Sequence, residues 1–144
     1  MMRLMPGALL LVGLIAIAEV RADDLPKATL YRNSNCGCCL EYARYLRRQG
    51  FDVDVVGGGM TSVRDEHGVP EDLEGCHTMV IGGYVIEGHV PAPFVKRLLA
   101  ERPAIRGISL PGMPNGSPGM TGVKQGTFTI YEIGDGPRKV YGTD

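Results

Sequence analysis

The stretch "ATLYRNSNCGCCLEYARYLRRQGFDVDVV", residues 28–56, contains two strand patterns with a helix pattern between them. Residues 28–32 are rich in strand-forming side chains and end at the turn NSN, whose polar side chains can cap a helix. From Cys39 onward the apolar positions follow helical spacing until Gly50, and residues 51–56 alternate apolar with acidic side chains as a half-buried strand does. The stretch therefore predicts a βαβ unit.

The sequence after this unit predicts further strands and helices. TMVI and YVIE flank GG (82–83), a pair typical of a tight β-hairpin turn, and a helix between Pro93 and Pro103 follows. A short helix is expected within residues 61–68. The Gly/Pro-rich residues 107–122 predict a long surface loop, and TFTIYEI with RKVYG predicts a closing β-hairpin. We therefore expect an α/β protein of thioredoxin-like fold, a βαβ unit followed by ββα, with a long Gly/Pro loop and a C-terminal β-hairpin.

The N-terminal segment has the composition of a secretory signal peptide. Arg3 precedes an apolar run that ends at Ala18, and the triplets AIA ending at Ala18 and VRA ending at Ala22 both offer small residues for signal peptidase cleavage. The run is too short to span a bilayer comfortably, and no later segment is apolar for long enough. We expect residues 1–22 to be a signal peptide and residues 23–144 to form one exported, periplasmic domain without stable membrane insertion.

Composition excludes several classes of function. The chain of 144 residues is 44% hydrophobic, enough for one modest core, and its formal net charge is −1. Such a charge gives no attraction for nucleic acid or for an anionic membrane surface. Neither a nucleotide-binding loop nor a hydrolytic triad is recognisable. The informative feature is the set of four cysteines, which export would place where disulfides can form.

Three of the four cysteines belong to the four-residue turn CGCC, residues 36–39. Cys36 and Cys39 form a C-x-x-C pair at a predicted helix N-terminus, where amide dipoles favour a thiolate. Cys38 complicates a simple dithiol switch, because its thiolate can attack the disulfide of that pair. Three adjacent sulfurs suit a soft metal, and Cu(I) fits best. Zinc usually takes two separated pairs of ligands, which makes three on one turn awkward for it.

The fourth cysteine, Cys76, precedes the first strand of the predicted hairpin. In thioredoxin-like folds the turn that enters this strand faces the redox cysteines, so we expect Cys76 to meet the CGCC turn. His77, next to it, is a candidate ligand, a donor to a ligand or a partner of a backbone carbonyl. Four converging thiolates could bridge several Cu(I) ions. The same geometry also permits a disulfide that includes Cys76.

Other sulfur and nitrogen donors are weaker candidates. Met113 and Met120 lie in the Gly/Pro loop, where thioethers can bind Cu(I) and hand an ion inward, or can simply pack. We expect His89 to fix the start of the following helix, with Glu87 nearby. His67 is expected at a solvated helix end.

The motifs CGCC, GF, GVP, CHT, GYVIEGHVPA and PGMPNGSPGM, in this order between Ala28 and Gly122, resemble those of the CopG-type family of exported copper-resistance proteins. The resemblance implies a thioredoxin-like fold and a role in periplasmic copper resistance that includes a change in copper oxidation state. It also implies that the metal ligands are Cys36, Cys38, Cys39 and Cys76. Two positions differ from many relatives, which carry Trp in place of Tyr42 and His in place of Tyr45.

Three hypotheses follow. The first is a periplasmic protein that sequesters, transfers or redox-cycles Cu(I), with other copper-handling proteins as partners. The second is a thiol-disulfide oxidoreductase, in which Cys36 attacks a substrate disulfide or reduces Cu(II) and Cys39 resolves the intermediate. The third is a small structural domain in which disulfides supplement the core.

Overall fold

The computed structural model of the chain describes residues 25–144, so the predicted signal peptide lies outside the described residues. The described part is a mixed α/β fold with one seven-stranded sheet. Its elements are β1 (Ala28–Arg32), α1 (Gly37–Arg48), β2 (Val53–Gly57), α2 (Met60–His67), β3 (Thr78–Ile81), β4 (Tyr84–Gly88), α3 (Ala92–Glu101), β5 (Gly107–Leu110), β6 (Thr129–Ile133) and β7 (Val140–Thr143). None of the helices in this part is long and apolar enough to cross a membrane.

The sheet has the strand order β2-β1-β3-β4-β5-β6-β7. β1 and β2 are parallel, so β1, α1 and β2 form the predicted βαβ unit. β3 is antiparallel to β1 and to β4, and β5 is parallel to β4. The predicted hairpin turn is confirmed at Gly82 and Gly83, which have φ angles of 56° and 85°. Two positive φ angles are what a two-residue hairpin turn requires.

Helix α1 begins directly after Cys36, which is its N-cap residue. The Cys36 Sγ accepts a hydrogen bond from the Cys39 amide at 3.3 Å, so the prediction that the Asn and Ser side chains of the NSN turn cap the helix was wrong. Tyr42 and Leu46 lie on the buried face of the helix and are fully buried. A buried side chain of this size contributes about 1.5–3 kcal/mol to stability, so this face anchors α1 to the sheet.

Both faces of the sheet are covered. The main core joins α1 and α3 to one face and includes Ile86, whereas a smaller cluster on the other face includes Val85 and Leu73. Neighbouring residues of a strand point to opposite faces, which explains why Val85 and Ile86 belong to different clusters. The short helical turn Glu71–Leu73 brings Leu73 under the second face.

The prediction of a loop over residues 107–122 was wrong at its start, because Gly107–Leu110 forms β5 in the interior of the sheet. All four of these residues are buried. A Cβ at Gly107 would lie 1.8 Å from the Val85 carbonyl oxygen, so only glycine lets β5 approach β4 here. The sequence pattern counted Gly107 as part of a Gly/Pro-rich loop, but the close pairing of β5 with β4 requires it. The irregular segment runs instead from Pro111 to β6, and the predicted C-terminal hairpin is confirmed as β6 and β7.

A buried polar network connects α2 to the sheet. The Arg64 guanidinium donates from Nε to Thr78 Oγ1 at 3.0 Å and also pairs with the Glu87 carboxylate. The Arg64 Nη2 group donates to the Gly75 carbonyl oxygen at 2.9 Å, and the Arg64 Nη1 group donates to Glu74 Oε2 at 3.0 Å. Glu87 in turn accepts from the Gly75 amide at 2.9 Å and from Thr78 at 2.7 Å. The network fixes the turn before β3, because Arg64 binds the Gly75 carbonyl and Glu87 binds the Gly75 amide.

Burial raises the pKa of Glu87 even though Arg64 and the Gly75 amide act in the opposite direction. The ion pair therefore does not fully offset the loss of hydration, which is usual for buried pairs. Removal of Glu87 leaves the buried Arg64 charge with only the partly exposed Glu74 as an acidic partner, and that is the costly change.

We predict that Glu87→Gln lowers the free energy of unfolding by about 3 kcal/mol, because the Arg64 charge loses its buried partner. Glu41→Gln, which removes the partner of Arg44 in an exposed ion pair on α1, should change it by less than about 1 kcal/mol. Urea denaturation monitored by circular dichroism measures both values. Equal effects of the two substitutions would show that the buried network does not stabilise this turn.

Candidate metal centre

The pairing of β1 with β3 brings the cysteines together. Tyr31 at the end of β1 lies opposite Thr78 at the start of β3, because the two strands are antiparallel. The CGCC turn leaves β1 at this edge of the sheet, and the segment with Cys76 enters β3 at the same edge. The structure therefore places Cys76 against the CGCC turn, as the sequence predicts.

The four-cysteine cluster consists of Cys36, Cys38, Cys39 and Cys76, whose Sγ atoms all lie within 4.8 Å of one another. Cys76 is central, because its Sγ lies 3.2 Å from that of Cys36 and 3.1 Å from that of Cys38. The distance to Cys39 Sγ is 3.3 Å. Cys39 is fully buried, whereas the other three cysteines are partly exposed.

Two of the sulfurs are oxidised in this structure. Cys36 and Cys39 form a disulfide with a Cα–Cα distance of 5.4 Å, and Cys38 and Cys76 are free thiols. The disulfide therefore joins the C-x-x-C pair, and Cys76 takes part in no disulfide. The free thiols adjoin the disulfide, since Cys38 Sγ is 3.5 Å from Cys36 Sγ. A cluster of four thiolates requires two-electron reduction of this disulfide.

The electrostatic environment keeps the Cys76 thiol protonated in the metal-free protein. Burial is the main cause that raises the pKa of Cys76 to about 12, and the contact with Cys38 adds to it, whereas the Arg64 charge acts in the opposite direction. A bound metal replaces such a proton, because metal ligation requires the thiolate. Metal binding to Cys76 would therefore release a proton at neutral pH.

The chemistry of four convergent sulfurs is that of a soft-metal site. Thiolates favour Cu(I) and, in a tetrahedral set of four, also zinc. Cys76 supplies the fourth sulfur that zinc needs, although the other three still come from one turn, which is the feature that makes this set awkward for zinc. The structure thus supports a thiolate site for a soft metal.

Two buried histidines, His77 and His89, lie next to Cys76. His77 and His89 are fully buried, and their ring centroids are 4.7 Å apart. One nitrogen from each ring lies, with Cys76 Sγ, in a second group of potential ligand atoms within 4.8 Å of one another. Desolvation lowers the pKa of both imidazoles, of His77 more strongly, so both rings are neutral at neutral pH.

The expectation that His89 fixes the start of α3 was wrong. Its Nδ1 lies 2.7 Å from the Pro118 carbonyl oxygen, in the Gly/Pro loop. The start of α3 is held instead by Tyr45, whose hydroxyl accepts a hydrogen bond from the Ala92 amide at 2.9 Å. The sequence carried one signal for this inward path, Gly88, which has a φ angle of 74° and turns the chain directly before His89.

The Gly/Pro loop packs on the cysteine turn. A Cβ at Gly119 would lie 2.6 Å from the Tyr42 amide nitrogen and 3.0 Å from the Cys38 carbonyl oxygen, so this contact requires glycine. Met120 follows Gly119 and is partly buried, whereas Met113 is 58% exposed. The loop therefore reaches the cluster through its backbone, and its two methionines lie at different depths.

Comparison with known proteins places these features in a family. A family model described as "Protein of unknown function, DUF411" matches residues 73–120, which include Cys76 and both buried histidines. None of the curated proteins matches the chain. Two solved structures are similar over most of it, and both cover 83% of this chain and 98% of their own.

The first of these structures, described as "Copper resistance protein copG- Form 2", is 38% identical with a TM-score of 0.74. The second, "Copper resistance protein copG- Form 1", is 36% identical with a TM-score of 0.75. Identity at this level, over nearly the whole length of the matched chains, agrees with the resemblance found from the sequence motifs. The chain belongs to the CopG copper resistance protein family.

Proposed function

We propose that the mature protein binds Cu(I) through the four-cysteine cluster and so contributes to copper resistance. The observation that carries this proposal is the convergence of four sulfur atoms within 4.8 Å from two separate segments of the chain. Membership of the CopG family supports copper over zinc. Soft thiolates stabilise Cu(I), and four of them offer enough bridging positions for several ions.

The proposal includes where the protein works and how it is built. Residues 1–22 are proposed to direct export to the periplasm and to be removed by cleavage after Ala22, with Ala18 as the alternative cleavage position. Residues 23–144 are proposed to form one domain. Its β1-α1-β2 unit followed by β3, β4 and α3 is proposed to be a thioredoxin-like core. The observed strand order and directions support that assignment. Other periplasmic copper-handling proteins are the proposed donors and acceptors of the ion.

The disulfide gives the cluster a means of redox change. When Cys36 and Cys39 are reduced, their two thiols can give one electron to each of two Cu(II) ions, which yields two Cu(I) ions, two protons and the disulfide. Cys38 and Cys76 then remain as free thiols to hold Cu(I). An external thiol reductant would restore the four-thiolate state.

A second candidate function is thiol-disulfide exchange, which the Cys36–Cys39 disulfide itself favours. In this hypothesis the Cys36 thiolate attacks a substrate disulfide and releases one substrate thiol. Cys39 then attacks the mixed disulfide, which releases the second thiol and leaves the protein oxidised. Neither Cys38 nor Cys76 has a role in these steps.

We predict that the reduced mature protein, loaded with Cu(I) without oxygen and desalted, retains several copper ions per chain. Cys76→Ser should retain far fewer, because Cys76 is the sulfur that contacts the other three. Elemental analysis counts copper and zinc in the same samples, with the oxidised protein as a control of lower capacity. Copper retention equal to that of the wild type in Cys76→Ser would contradict a cluster that spans both segments.

Cys38→Ser separates the two candidate functions. We predict that it loses most of the bound copper, because it removes one of the four thiolates, and that it still reduces a small disulfide at the wild-type rate through Cys36 and Cys39. An insulin or glutathione-disulfide reduction assay, beside the copper count, measures both properties. Full copper retention in Cys38→Ser would contradict the four-thiolate cluster, and unchanged disulfide exchange in the same variant would then favour the oxidoreductase.

The loop methionines are proposed to act in transfer and not in storage. We predict that the double variant Met113→Leu, Met120→Leu retains as much copper as the wild type but exchanges Cu(I) with a coloured chelator several-fold more slowly. Leu is similar in volume and lacks the thioether, so packing is preserved. Stopped-flow absorbance measures the exchange rate. An unchanged rate would show that these side chains only pack.

A further inference from the structure

The two buried histidines remain unexplained by a site made only of sulfur. Neither ring nitrogen of His77 has a hydrogen-bond partner among residues 25–144, and the same holds for Nε2 of His89. Desolvation lowers the pKa of His77 and the Gly88 backbone acts in the opposite direction, but neither ring nitrogen makes a hydrogen bond of normal geometry with that backbone. A buried polar group without a partner costs about 1–3 kcal/mol, so the fold keeps these nitrogens at a penalty.

The hydrogen bonding of His89 leaves one of its ring nitrogens available to a metal. Its Nδ1 is within hydrogen-bond distance of the Pro118 carbonyl oxygen, which can only accept, so Nδ1 carries the proton. The unprotonated Nε2 is then free to donate its lone pair. Metal-binding histidines usually have this arrangement, with one ring nitrogen bound to a carbonyl and the other to the metal.

We propose that Cys76, His77 and His89 form an inner metal position, in which one copper ion is bound by a thiolate and two imidazole nitrogens beside the four-cysteine cluster. The inference deepens the proposed function and rests on it, because Cys76 belongs to both sets of ligands. The inner position adds two nitrogen donors that the cluster itself lacks.

The distances allow such a site with small movements. Bonds of about 2.0 Å to nitrogen and about 2.3 Å to sulfur place three ligand atoms roughly 3.5–4 Å apart. The three ligand atoms here are within 4.8 Å of one another, so small side-chain rotations complete the set. The Tyr42 ring covers His77, with centroids 4.5 Å apart, and holds the imidazole in place.

The donor set gives the inner position a different chemistry from the cluster. A pure thiolate set strongly favours Cu(I), whereas two imidazoles and one thiolate form the set with which proteins hold copper in either oxidation state. Tyr42 and Pro118 of the Gly/Pro loop pack against His89. A copper ion therefore reaches the inner position by way of the Cys76 sulfur.

The test is X-ray absorption at the copper edge of the reduced mature protein after anaerobic loading with Cu(I), together with the copper count. The wild type should show nitrogen scattering from imidazole as well as sulfur scattering. His77→Leu should hold one copper ion fewer per chain and lose most of the nitrogen signal, with its sulfur signal unchanged. His67→Leu, at the end of α2, is the matched control and should resemble the wild type in both measurements.

Either of two results would overturn the inner position. They are copper-loaded wild type with sulfur scattering only, or His77→Leu with the wild-type count and spectrum. Failure of the copper proposal itself looks different, because then neither the wild type nor His67→Leu retains copper at all.

Thermal melting of the metal-free variant separates ligation from packing. Since His77 makes no normal hydrogen bond in residues 25–144, the apolar Leu should leave the melting temperature unchanged or raise it. A lower melting temperature with an unchanged copper count would assign His77 a structural role only. Should His77→Leu fail to fold, the fully loaded wild type still tests the site, because absence of nitrogen scattering from it refutes the inner position.

Discussion

The antiparallel pairing of β1 with β3 is the constraint on which the metal centre depends. It sets the CGCC turn beside the turn before β3, two segments that are about forty residues apart in sequence, as Cys36 and Cys76 show. A register shift of one residue would send every side chain of a strand to the opposite face. Leu30 and Met79 are paired and fully buried in the main core, so the hydrophobic pattern opposes such a shift.

A close approach of two glycines refines this arrangement. A Cβ at Gly75 would lie 2.6 Å from the Gly88 Cα, so the two backbones meet only because neither residue has a side chain. The contact lets the Gly75 amide reach the Glu87 carboxylate, which Arg64 also holds. Gly75 directly precedes Cys76 and Gly88 directly precedes the buried His89, so the glycine contact positions both residues. The polar network and the metal centre therefore share one backbone contact.

Local patterns predicted the elements, and chain topology was needed for the site. Helical spacing up to Gly50 and the glycine pair of the hairpin identified α1, β3 and β4, because these elements follow local rules. The strand β5 was missed because Gly107 has a tertiary role, close approach to Val85, that composition cannot reveal. His89 was misassigned for a similar reason, since its partner Pro118 lies in a loop without a periodic pattern. The cluster around Cys76 was predictable because it required only the order of strands in the sheet.

The most direct test of this account is a crystal structure of the reduced, copper-loaded protein, with anomalous diffraction recorded on both sides of the copper absorption edge. We expect copper peaks between the CGCC turn and Cys76, at about 2.3 Å from the sulfur atoms, and one further peak between Cys76 and the two histidines. Peaks confined to the surface, or to the exposed Met113, with the four cysteines unbound would contradict the account.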